Sequence, residues 1–299
     1  MNFSAGYTTM SLYNNQTEHS SPHDDAVHNN NDDNDNKAYV DSAGFVTVTD
    51  PDGNITRTTP RPTPGDQKLR NVSTLVLNIT ALDTKIPSNA LLCFPNITTI
   101  VIGGGCDVST VLIEALMRYI ADNIPSNRRL DLYIGNAIIP EMHDDFPSLH
   151  VHLENCTISK KVFVSLLRTM YGVSIESCPV GDITNDQKIS ELPTHFSMDI
   201  ICRHLQMLSA YEGMQYGIPP SFFENLDMRH LRKFRVAVAG GIDLTKMYLP
   251  NLMDVCIRIY PTSPQITHYV VIDFKACQLL QKVEVTDKVP IYVGGQPPD

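Results

Sequence analysis

Residues 100–109 read IVIGGGCDVS, and residues 236–245 read VAVAGGIDLT. The two lie over each other position by position. Both carry β-branched residues at the first and third places, glycine at the fifth and sixth, Asp at the eighth, an aliphatic at the ninth and Ser or Thr last. A phosphate cradle needs one glycine turn between a strand and a helix, whereas recurrence is the mark of a structural repeat. In the first copy Val108 also stands where the G-x-G-x-x-G fingerprint has its last glycine. The stretch therefore reads as a repeated strand–turn unit. A nucleotide-binding α/β enzyme using the Gly103–Gly105 turn is the alternative, with Asp107 just beyond it repelling a phosphate.

Other segments repeat the unit. An apolar residue followed by two places, an apolar, one place and an apolar recurs as Val72-Leu75-Leu77, Ile97-Ile100-Ile102, Leu252-Val255-Ile257 and Leu280-Val283-Val285. FPNI at 94–97, FPSL at 146–149 and LPNL at 249–252 each precede a strand-like run. HVHLENCTIS and GVSIESCPV share apolar-x-apolar-x-x-Cys-x-apolar, with Cys156 and Cys178 in equivalent places. A short strand puts alternate side chains on opposite faces, so Leu75 and Leu77, or Val151 and Leu153, point into one core. The small residue that follows (Thr80, Gly105, Cys156, Cys178, Gly241) marks where the chain leaves the sheet.

Between strands the period changes to that of a helix. DVSTVLIEALMRYIADN places Val111, Leu112, Ala115, Leu116, Tyr119 and Ile120 on one stripe, with Asp107 or Ser109 as cap. SKKVFVSLLRTM places Val162, Phe163, Leu166, Leu167 and Met170 inward, with Ser159 as cap. Strand–helix alternation with short links predicts an α/β fold with a parallel sheet.

On these motifs residues 69–290 resemble the leucine-rich repeat superfamily, in its irregular, cysteine-containing form found in adaptor proteins. The resemblance implies a solenoid with the parallel sheet on its concave side. It also implies a protein-binding function. The intervals reach about 32 residues, longer than the usual 20–29. The unit near 200–213 has no clear phase, since CRHLQML reads as a strand or as the end of a helix.

Composition divides the chain. Residues 1–66 hold ten acids against Lys37, Arg57 and Arg61, and the remainder is close to neutral within a total of −10. The tract HNNNDDNDNK and the proline-rich TTPRPTPGD predict a disordered acidic tail over 1–66, with GFVTVTD as a short ordered island, and a solenoid domain over 67–299. No basic stripe follows a phosphate backbone, which argues against nucleic acid. No apolar run reaches bilayer length, and no secretory signal is visible. The seven cysteines form no CxxC pair and read as reduced, buried thiols of a cytoplasmic or nuclear protein. Seven N-x-S/T sequons, at Asn2, Asn15, Asn54, Asn71, Asn78, Asn96 and Asn155, keep an exported glycoprotein as a further alternative.

Strand residues facing away from the core form the expected partner surface: Asp131, Tyr133, His150, His152, Ser174, Glu176, Arg235 and Arg258. This charged and aromatic mixture suits a protein partner; the plainer reading is the solvated side of a half-buried sheet. His150 and His152 share a strand face, and with an acid from MHDD at 142–145 they have the donor types of a zinc site. Alternation alone also produces such pairs, so no metal and no cofactor is expected. No catalytic set is visible, since no G-x-S-x-G elbow exists and the histidines show no spacing logic. Finally, LPTHFSMDIICRHL at 192–205 resembles the start of an F-box, through Leu192, Pro193, Phe196, Ile200 and Ile201. That resemblance implies a Skp1-type adaptor as partner and substrate recognition in a ubiquitin-ligase-type assembly. The segment lies inside the repeats instead of before them, and a Pro-started amphipathic helix explains it equally.

Overall fold

The computed structural model describes residues 36–41, 43–59, 69–78, 93–103, 108–178, 202–211, 223, 226–239, 241–260, 269–273, 275–285 and 290–293. They belong to one compact unit, Asn34–Asp299. Along the chain run β1 (Asn36–Asp41), β2 (Val46–Thr49), β3 (Ile55–Thr59), β4 (Val72–Asn78), β5 (Thr99–Gly103), α1 (Thr110–Asn123), β6 (Leu130–Gly135) and β7 (Phe146–Glu154). Then come α2 (Lys160–Thr169), β8 (Met170–Glu176), β9 (Met207–Tyr211), β10 (Lys233–Ala239), β11 (Ile242–Asp243), β12 (Asp254–Tyr260), β13 (Val270–Ile272), β14 (Lys282–Val285) and β15 (Ile291–Val293). A large, mostly parallel sheet of twelve strands dominates this α/β architecture, and helices are few.

The sheet runs β14-β12-β10-β9-β8-β7-β6-β5-β4-β1-β2-β3, while β11, β13 and β15 pair separately as a small parallel sheet. From β4 to β14 the strands succeed one another in chain order. A doubly wound fold binds its nucleotide where that order reverses; here the order reverses between β1 and β4, and beyond it β2 and β3 run antiparallel instead of forming a second parallel half. The glycine turn beyond Gly103 lies outside the described residues.

Pairing register converts the sequence repeat into rows. One row is Leu75, Ile100, Leu132, Val151, Val173, Leu208, Phe234, Val255 and Val283. The next is Leu77, Ile102, Ile134, Leu153, Ile175, Ala210, Val236, Ile257 and Val285. All but the two β14 valines are buried in one continuous core. Each large aliphatic side chain so buried stabilises the fold by roughly 1.5–3 kcal/mol. The pattern Val72-Leu75-Leu77 and its three counterparts fall into register throughout. The glycine-stretch alignment does not: Ile102 is level with Val236, not with Val238, so that match is displaced by two residues.

Polar contacts recur with the same period. The Asn96 side-chain amide donates to the Arg70 carbonyl (2.8 Å), and Asn251 repeats this on Arg229 (2.6 Å). Asn136, Asn155 and Ser177, each two places past the second apolar row, adopt φ of 52°, 52° and 53°, the left-handed region that Asn tolerates best. One place later Cys156 donates through Sγ to the Ile134 and Glu154 carbonyls (both 3.4 Å), and Cys178 to those of Leu153 (3.4 Å) and Glu176 (3.1 Å). Cys178 Sγ also accepts the Cys156 N–H at 3.1 Å. The side-chain hydrogen bond with the Cys156 thiol, together with burial, pushes the Cys178 thiol far above its ordinary range, against the Cys156 N–H, which favours the thiolate. Gly241 serves space, not φ: a Cβ there would lie 2.5 Å from the Tyr269 ring.

The helices follow the expectation with one rotation. α2 is capped by Ser159, whose Oγ accepts the Val162 N–H (3.2 Å), and it buries Val162, Phe163, Leu166 and Leu167 before running directly into β8. α1 buries Leu112, Ile113, Leu116, Met117 and Ile120; its stripe is turned toward Ile113 and Met117, and Val111 is exposed. Ser109 is its cap position but makes no side-chain hydrogen bond. Within the ambiguous unit near 200–213, Met207–Tyr211 form strand β9 and no helix occurs among its described residues.

The expected boundary at 66/67 is corrected. Strands β1–β3, all from the presumed tail, extend the sheet, with β1 parallel to β4 and β2 and β3 antiparallel beyond it. Ala38, Val40, Val46 and Val48 are buried, and Ala38 and Val40 continue the two apolar rows opposite Leu75 and Leu77. Acids and glycines that made the stretch look unstructured are its turn residues. Asp41 Oδ1 accepts the N–H groups of Ala43 and Phe45 (2.9 Å each), Asp50 Oδ1 that of Asn54 (2.8 Å), and Gly44 and Gly53 take φ of 82° and 84°. The expectations for residues 1–35 and for the F-box-like 192–201 lie outside the described residues.

Cys178→Ala removes the acceptor of a buried N–H and two further contacts. It is expected to destabilise the protein by about 1–3 kcal/mol in urea unfolding, while Cys256→Ala, on the partly exposed face, costs clearly less.

Candidate functional site

Opposite the apolar rows, the sheet presents a polar face. Register places Tyr133, His152, Ser174, Ser209, Arg235, Cys256 and Glu284 in one row across six parallel pairings. Asp131 is level with His150 and Gly172, and Glu154 with Glu176. All eight residues expected on this face are there. Six of them gather on the adjacent strands β6, β7 and β8, while Arg235 and Arg258 stand apart on β10 and β12.

The gathered group is a bonded cluster. Asp131 Oδ1 lies 3.3 Å from His150 Nδ1 and 3.1 Å from His152 Nε2, and His150 Nε2 is 2.8 Å from Ser174 Oγ. The His152 ring stacks on Tyr133 with centroids 4.1 Å apart and planes within 8°, while the His150 ring lies against it tilted by 37°, centroids 3.9 Å apart. The histidine side chains are 13% and 24% exposed, that of Asp131 42%, so solvent reaches the cluster from the acid's side. Burial works against charge on Asp131, but the hydrogen bonds from His150 and His152 outweigh it and hold the carboxyl well below the usual carboxylate range. Burial holds the His152 imidazole below its ordinary value, against the hydrogen bond it donates to Asp131. Burial and then the Asp131 charge raise the Tyr133 hydroxyl.

The acid that joins the histidines is therefore Asp131 from the neighbouring strand, not one from MHDD. Asp145 instead faces Arg203 (3.5 Å) and His204 (3.9 Å). Sequence reasoning had named Asp131, His150, His152 and Ser174 only as separate members of one face, because which of them touch depends on register between strands. Gly172 it missed altogether. A Cβ at Gly172 would sit 2.7 Å from His150 Cδ2 and 2.8 Å from Cγ, so this glycine makes the room in which the imidazole lies. Its signal was a glycine inside a strand, which marks a close approach.

Toward the other end, the Arg235 guanidinium pairs with Asp254 at 2.6 Å, and the Asp254 side chain is only 15% exposed. Acids and imidazoles thus concentrate on β6–β8, while on β10–β14 the cations Lys233, Arg235, Arg258 and Lys282 outnumber Asp254 and Glu284, which pair with Arg235 and Lys282. Among the described residues no helix is long and apolar enough to cross a membrane.

Compared with protein-family models, with curated proteins and with solved structures, the chain shows no significant match in any of the three.

Gly172→Ala is expected to destabilise the fold by about 1–3 kcal/mol, as overpacking does. His150→Ala in the same chain should return most of that loss, read as a coupling in a double-mutant cycle of denaturant unfolding.

Proposed function

We propose that the chain is a protein-interaction scaffold: an irregular solenoid of the leucine-rich-repeat kind that presents the polar face of its parallel sheet to a protein partner. One observation carries this reading. Parallel sheets are ordinarily covered on both faces, yet here successive strands bury one face in a continuous core and leave the other half-exposed. In-order strands with recurring Asn and Cys contacts are what a stack of equivalent modules requires. Such a stack offers its long strand face for docking, and from β6 to β12 that face measures about 24 Å at the usual strand spacing.

The face is also chemically suited to a folded partner. It combines Tyr and His rings with charges of both signs, with a surplus of acids at one end and of cations at the other, so that a partner of complementary charge is oriented as it docks. A role in a ubiquitin-ligase-type assembly rests on the likeness of residues 192–205 to an F-box and does not bear on which surface binds.

The test reverses one charge in each half. Glu176→Lys with Arg258→Glu should abolish capture of the partner in an affinity purification while circular dichroism shows the double variant still folded. His152 and Arg235 are left intact, because their bonds to Asp131 and Asp254 are part of the fold. Unchanged capture by the double variant removes this face as the binding surface.

A further inference from the structure

We propose that Asp131, His150 and His152 form a binding site for one divalent transition-metal ion, with Zn2+ the best match. Among the described residues this is the one group of three His, Cys, Asp or Glu donors that converge, all three donor atoms lying within 4.8 Å of one another. The spacing suits the ion. Zn–N and Zn–O bonds of about 2.0–2.2 Å in a tetrahedron put neighbouring ligand atoms roughly 3.3–3.5 Å apart. Here the carboxylate oxygen is 3.3 Å from one ring nitrogen and 3.1 Å from the other. Two imidazoles and one carboxylate are borderline donors of the kind Zn2+ takes, whereas Ca2+ and Mg2+ require oxygen ligands.

The surroundings hold the ligands as a metal site needs. Outer partners that fix ring orientation and tautomer accompany metal-bound histidines. Ser174 Oγ lies 2.8 Å from the far nitrogen of His150, Gly172 leaves space for that ring, and Tyr133 stacks flat on His152. These five residues and Asp131 stand on three adjacent strands in register, so the site is built on a rigid element. The exchange of bonds also balances. Without metal, His150 Nδ1–H donates to Asp131 and its Nε2 accepts from Ser174. With metal on Nδ1, the ring proton moves to Nε2 and is donated to Ser174 Oγ. On His152 the metal takes Nε2 and the proton resides on Nδ1. Three protein ligands leave a fourth position for water, as in open zinc sites.

The site is independent of the partner reading above, and its test needs no partner. The full chain, stripped with a chelator, is titrated with Zn2+ alone by calorimetry, beside Asp131→Asn and the double variant His150→Gln/His152→Gln. His19, His23 and His28 add imidazoles elsewhere in the chain, so the readout is a difference. The wild type should take up one more equivalent than either variant, or bind that equivalent at least tenfold more tightly. Circular dichroism establishes that the variants fold. For any that do not, the wild type alone is footprinted with diethyl pyrocarbonate and mapped by mass spectrometry, where Zn2+ should protect His150 and His152. Equal uptake by folded variants, or unaltered modification of both histidines at saturating Zn2+, overturns the proposal.

Discussion

Register between parallel strands is the constraint on which the rest depends. With side chains alternating at a period of two, a slip of one residue in any strand would carry its whole apolar set to the wrong face. Nine strands keep Leu75, Ile100 and their counterparts level, and the turn contacts hold them there. The Asn96 and Asn251 amides pin the entry to a strand on the preceding turn. The Cys156 and Cys178 thiols pin the exit. Each of these bonds is modest by itself, on the order of 1 kcal/mol. Placed at both ends of strands of five to nine residues, they discriminate between registers that apolar packing alone would separate less sharply.

How far this was legible depends on the reach of the signal. Spacing within one unit survives in the sequence, so Val72-Leu75-Leu77 and its relatives marked their strands and fell into the rows they implied. The match between the two glycine stretches misled by two residues, because it aligned residue types in the turns and β10 continues two residues past the level where β5 ends. Averaged composition failed over residues 36–59. Asp41, Gly44, Asp50 and Gly53 lower the mean hydropathy of the stretch, yet they are what a tight antiparallel meander needs at its corners. Val111 was assigned to the buried stripe of α1 because periodicity defines a stripe only to within a residue or so, and packing against neighbours chooses the exact face.

The Asp131–His150–His152 cluster shows the same limit in the opposite direction. Every member was visible as a polar strand residue. What could not be read was adjacency, which joins residues 19 and 21 places apart through one pairing. A carboxylate next in sequence, at 144–145, was the natural candidate, but strand alternation points neighbouring loops elsewhere while register brings β6 alongside. Gly172 completes the arrangement by an absence: with any side chain there the imidazole would be displaced.

The antiparallel meander at one end has a bearing on how the molecule is made. In the large sheet every strand from β4 onward lies against one that was synthesised before it, and β1, β2 and β3 pair largely among themselves through short turns. Hairpins close in microseconds, so a finished edge stands ready when β4 emerges, and each later strand finds its template already in place. Assembly of the large sheet can then proceed in the direction of translation, one rung at a time.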